Sequence, residues 1–143
     1  MENSNIAWTD HTWNFVWGCV EVSPACANCY ARIFSQRLGL DIWGKNKPRR
    51  IFGEAHFQEP LKWNNAASIA MTESNAMDLH GHRPRVFCSS MADIGEDYEG
   101  CTAEELERQR AILKAKKSPI LIGGKAEFDE ARRRTWEVIE QTP

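Results

Sequence analysis

The sequence predicts an α/β domain, on three observations. Aromatic side chains at Trp13, Phe15 and Trp17 alternate with smaller residues, the period of a strand with one heavily apolar face. A cysteine-rich loop follows directly, and a helical pattern follows the loop. Short apolar runs then alternate with amphipathic stretches along the rest of the chain.

Trp8 to Thr12 reads as a turn in which Asp10 and Thr12 can bond nearby amides, and residues 12–18 read as the first strand. The loop carries Cys19, Cys26 and Cys29, and a helix starting near Ser23-Pro24 would put Cys26 and Cys29 on one face. Residues 29–38 predict a helix with Ile33, Phe34 and Leu38 turned inward, stopped by Gly39. Residues 40–63 read as irregular, with helical pieces at 54–58 and after Pro60. Residues 64–79 suit a helix that frays into a turn at 80–84. Residues 85–89 predict a short buried strand, and Ser89, Ser90 and Asp93 stand at its C-terminal end, where open α/β sheets place ligands. Thr102-Ala103-Glu104-Glu105 is a capping box opening a helix to about Lys117. Residues 119–124 form a short apolar run closed by glycines, and 127–141 an amphipathic helix with Phe128, Ala131, Thr135, Val138 and Ile139 on one side. No strand remains after that helix for it to cover, so the chain reads as incomplete at its C-terminus.

At 143 residues the chain is one domain or part of a larger one, short of the roughly 200 residues or more of a full α/β barrel. No run approaches the ~20 apolar residues of a membrane span, and the first residues have no basic and apolar signal pattern, so a cytoplasmic setting is expected. There, five cysteines, three of them within eleven residues, point to metal or redox chemistry before disulfides. Ligand types alone leave iron–sulfur and zinc open, the latter as a Cys3His site recruiting His11. A net charge of −2 gives no overall field for nucleic acid, but Lys45, Lys47, Arg49 and Arg50 form a basic cluster that reads as a solvated loop or a phosphate contact. Cys88 reads as core and Cys101 as incidental; Trp13 and Trp17 read as core before base-stacking surfaces; Arg132-Arg133-Arg134 reads as a wet helix face. Ser89, Ser90 and Asp93 read either as turn caps or as partners for the amino or ribose groups of a cofactor.

Several stretches occur in a familiar order: Trp8-Thr9-Asp10-His11-Thr12-Trp13-Asn14, Trp17-Gly18-Cys19, Ser23-Pro24 with Cys26, Cys29-Tyr30-Ala31, Pro60-Leu61-Lys62-Trp63-Asn64, Arg83-Pro84-Arg85-Val86-Phe87-Cys88, and Phe128-Asp129-Glu130-Ala131-Arg132. Together they resemble a phage-associated protein family of unknown function whose three-cysteine motif is similar to that of radical S-adenosylmethionine enzymes. The resemblance implies a partial β/α barrel truncated at its C-terminus, with 1–143 a single incomplete domain and 95–126 an insertion. It implies a [4Fe-4S] cluster on Cys19, Cys26 and Cys29, with the fourth iron free for S-adenosylmethionine. A complete chain of this kind would be an enzyme generating a 5'-deoxyadenosyl radical with a low-potential electron donor protein as partner. The rival expectations are a non-catalytic zinc module docking a protein or nucleic acid, and an inactive remnant whose last helix lacks its covering strand.

Overall fold

The computed structural model describes residues 3–74 and 84–142. Its strands are β1 (His11–Trp13), β2 (Arg49–Ile51), β3 (Val86–Cys88) and β4 (Leu121–Gly123). Its helices are α1 (Tyr30–Arg37), α2 (Glu54–Phe57), α3 (Glu59–Ser74), α4 (Ala103–Ala115) and α5 (Lys125–Gln141), with a 3-10 turn at Pro24–Asn28. β1 and β3 pair in parallel, with Thr12 opposite Phe87, and β2 and β4 pair antiparallel, with Arg50 opposite Ile122.

The predicted partial barrel does not form. A barrel of that type needs parallel strands closing on themselves, whereas the described residues hold two separate two-stranded sheets, one of them antiparallel. The fold is a small mixed α/β domain.

The long first strand is likewise cut short, because Asn14 diverts it. Its side-chain Oδ1 accepts the Met91 amide at 2.7 Å and its Nδ2 donates to Ser90 Oγ at 3.1 Å, so a side chain takes over what the ladder would supply. The backbone rejoins a sheet at Trp17, which exchanges both backbone bonds with Arg50 at 3.0 Å, and Gly18 donates to Met91 O at 2.9 Å. Residues 14–18 thus stitch the two sheets together.

Helix ends follow local chemistry. Thr102 Oγ1 accepts the Glu105 amide at 3.2 Å and opens α4, as the capping pattern predicts. Gly39, at φ +70, ends the helical run after α1. The predicted helix over 64–79 is found as far as Ser74; its continuation and the turn over 80–83 lie outside the described residues. No described helix is long and apolar enough to cross a membrane.

Trp13, Phe15, Val16, Phe57, Tyr98, Phe128, Ala131 and Val138 form the main core, and Leu40, Ile42, Leu113 and Ile122 a second cluster. Phe128, Ala131, Thr135 and Val138 of α5 are buried, so the apolar face expected to lack a cover is packed, with only Ile139 of the predicted set left exposed. β3 departs from expectation in the other direction: Val86 and Cys88 are exposed, so Cys88 is an edge residue and not core.

Arg49 joins the two clusters. The side chain is fully buried, bonds Glu96 Oε1 at 2.5 Å and Oε2 at 3.3 Å, donates to the carbonyls of Ile42, Gly44 and Lys47, and stacks on Tyr98 with its guanidinium carbon 4.2 Å from the ring centroid. A buried guanidinium persists only when its donors are met in this way.

Candidate functional site: an aromatic cleft at the strand ends

α1 is built inside out. Its buried residues are Ala31 and Ser35, while Tyr30, Ile33, Phe34 and Leu38 are 61%, 41%, 44% and 49% exposed. The predicted inward face of Ile33, Phe34 and Leu38 is therefore the outward face. Two small residues let the helix lie close on the body of the protein, and the bulky stripe at helical spacing is turned away.

That stripe forms one wall of a cleft of about 640 Å³. Tyr30, Ile33, Phe34 and Arg37 of α1 face Trp17, Phe52 and His56 across it, with Thr12, Asn14, Ser90, Met91 and Ile6 completing the lining. The volume falls in the range of small-molecule sites, about 300–1,000 Å³. The cleft lies where β1 and β3 end, the side of a parallel pair on which ligands bind in open α/β sheets.

The frame around it is held by hydrogen bonds. Tyr30 donates to Ser90 O at 2.8 Å, tying the head of α1 to the segment after β3. His56 Nε2 donates to Asn14 O at 2.8 Å, and Trp13 Nε1 donates to His56 O at 3.0 Å. Phe52 stacks on the His56 ring at 4.2 Å between centroids, and Trp17 meets Phe34 at 6.0 Å and Phe52 at 6.1 Å, both edge-on. Burial lowers the pKa of His56, against the opposing pull of the Asn14 carbonyl and of Glu59, whose carboxylate lies 3.1 Å from Nδ1; nearby Arg50 acts in the same direction as burial.

The predicted ligand residues part company. Ser90 lines the cleft. Ser89 adopts a left-handed φ of 62 and donates its amide to Trp13 O at 3.0 Å. Asp93 accepts the Gly95 amide at 2.8 Å and faces a different cavity of about 340 Å³, with Cys19, Glu96, Asp97 and Glu99.

The three cysteines occupy unlike surroundings. Cys19 donates to Val20 O at 3.4 Å, and burial together with the nearby Glu96 carboxylate pushes its pKa up to about 11. Cys26 sits on the surface turn, where bonds from the Val22 backbone and from Ser23 hold its thiol below the usual range. Cys29 caps α1 and donates its amide to Cys26 O at 3.2 Å. A thiol kept protonated beside carboxylates is a poor ligand. Among the described residues no group of three or more His, Cys, Asp or Glu side chains is arranged to hold a metal ion. The expected [4Fe-4S] cluster, its S-adenosylmethionine and the zinc alternative are therefore withdrawn, and with them the radical reaction and the zinc module. His11, the expected fourth zinc ligand, stacks on Trp63 at 4.4 Å and accepts the Asn3 amide at 3.3 Å.

The contrast between the thiols has a measurable result. On brief treatment with iodoacetamide at mildly alkaline pH, Cys26 is expected to be alkylated well before Cys19, because the thiolate is the reacting form. Peptide mass spectrometry reads the order directly; equal rates would mean the two thiols share one environment.

Of the basic cluster, Lys47 pairs with Asp41 at 2.7 Å and Glu105 at 2.9 Å, Arg49 is the buried partner of Glu96, and Arg50 stacks on Trp17. The cleft itself escaped the sequence reading. Its signal was present in Ala31 and Ser35, two small residues four apart that marked the buried side of α1.

A family described as "Protein of unknown function (DUF5131)" matches residues 3–117. No curated protein and no solved structure matches the chain. The match replaces the expected phage-associated, radical-type family, since the matching description assigns no activity and the described residues hold no three-ligand metal group. Because the match covers most of its length, the chain belongs to the DUF5131 family of proteins of unknown function.

Proposed function

We propose that this chain is a small-molecule binding domain whose ligand inserts a flat aromatic ring between α1 and the Trp17–Phe52–His56 wall. One observation carries the reading: α1 spends its large apolar side chains on the cleft and its small ones on the core. Exposing Tyr30, Ile33 and Phe34 works against folding stability, since each would contribute roughly 1.5–3 kcal/mol if buried in a core. A ring bound among them recovers that apolar burial. The polar groups at the strand end, Asn14, Ser90 and the Tyr30 hydroxyl, supply the few directional contacts that orient a ligand in an apolar site.

Calorimetric titration with two neutral ring probes, indole and adenosine, tests this. Saturable binding of at least one is expected. Phe34→Ala removes an exposed side chain and should weaken binding by about 1–3 kcal/mol, the usual value of one stacked ring, which is roughly 5- to 150-fold. Ile139→Ala, on a separate cavity of about 260 Å³, should leave binding unchanged. If neither probe saturates, or if Phe34→Ala binds as the unaltered protein does, the reading fails.

A further inference from the structure

The charges around the cleft are unbalanced. None of the residues lining it is acidic, and Arg37 lies among them, one helical turn beyond Phe34. Arg50 borders the same aromatic wall, with its guanidinium carbon 4.0 Å from the Trp17 ring centroid and 4.7 Å from that of Phe52. Other arginines of the molecule have carboxylate partners: Arg49 with Glu96, Arg32 with Glu21, Arg132 with Asp129 and Arg134 with Glu54. Neither Arg37 nor Arg50 forms an ion pair among the described residues. On the His56 side, the Glu59 carboxylate lies 3.1 Å from His56 Nδ1.

We propose that the ligand of the cleft carries an oxyanion, a carboxylate or a phosphate, which docks against Arg37 and Arg50 while its ring lies among Trp17, Phe34 and Phe52. This rests on the ring-binding reading above and adds the chemical class of the ligand. One guanidinium lining an apolar cleft, Arg37, and a second stacked on its aromatic wall, Arg50, suit such a group, because each presents a planar fork of donors to two oxygens and is weakly hydrated enough to lie against aromatic faces. Arg50 is half-buried, and burial lowers its pKa, so the cation is held at a cost that a bound anion would offset. Stacking on Trp17 and Phe52 uses the face of its guanidinium, and the N–H donors lie on the edge.

The test uses matched pairs on the full chain: indole against indole-3-acetate for a carboxylate, and adenosine against adenosine monophosphate for a phosphate. In at least one pair the anionic member is expected to bind tenfold or more tightly than the neutral one. That advantage should shrink with added salt and disappear in Arg37→Gln, an exposed position whose replacement leaves the core untouched, and in Arg50→Gln. The pair that shows it identifies the anion. Equal affinity within both pairs, or an advantage that survives both substitutions, overturns the oxyanion assignment and leaves ring binding standing. Failure of both neutral probes to saturate overturns ring binding, and failure of all four probes to bind overturns both.

Discussion

Arg49→Ala is expected to lower folding stability by about 3–5 kcal/mol, since it strands the buried Glu96 carboxylate without its cation. The substitution also frees the carbonyls of Ile42, Gly44 and Lys47 and removes the face that covers Tyr98. A loss of that size is a large share of the ~5–15 kcal/mol that keeps an ordinary domain folded. Urea unfolding followed by circular dichroism gives the number. The double variant Arg49→Met with Glu96→Leu should recover much of the loss, because an apolar pair of similar volume avoids the desolvation that the ion pair must overcome. A single variant that loses less than about 1 kcal/mol would show that the pair is not buried as described.

Gly18→Ala is the second large effect. Gly18 has φ +116, and a Cβ there would stand 2.4 Å from Ile42 O and 2.7 Å from Arg49 Cδ. A left-handed-side backbone in a residue with a side chain costs on the order of 1–3 kcal/mol, and forcing a methyl into packed atoms adds on the order of 1–3 more. The nearer obstacle is a backbone carbonyl, which cannot swing aside as a side-chain end would. Gly18 also donates to Met91 O, so the shift would reach the segment carrying Ser90 and loosen the cleft. Loss of ring binding together with lowered stability is the expected outcome; unchanged thermal unfolding would contradict the geometry. Gly53→Ala serves as a control, since its φ is −80 and a Cβ there would meet nothing within 4 Å.

The parts legible in the sequence are those set by neighbours along the chain. Thr102 and Glu105 are three residues apart, and their capping bond forms as the pattern implies. The face of α5 with Phe128, Ala131, Thr135 and Val138 follows from helical spacing alone. The parts missed depend on distant partners. Arg49 sat in a basic run that reads as solvated, and its burial depends on Glu96, 47 positions on. Asn14 ends β1 early because its amide finds Met91, 77 positions away. For α1 the spacing of Ile33, Phe34 and Leu38 marks the stripe but not its direction, since hydrophobic periodicity gives the face of a helix without saying whether a core or a cleft lies opposite. Three nearby cysteines suggested a shared ligand; sequence spacing could not reveal that Cys19 turns toward Glu96 while Cys26 remains at the surface.

The outward stripe of α1 and the aromatic wall opposite are the proposed ligand site. The most direct measurement is a chemical-shift titration of backbone and aromatic resonances with indole-3-acetate. Saturating shifts centred on Trp17, Tyr30, Phe34, Phe52 and Ser90 are predicted. Shifts centred instead on Trp63, Cys88 and Ile139 of the separate cavity, or no saturating shifts at all, would contradict it.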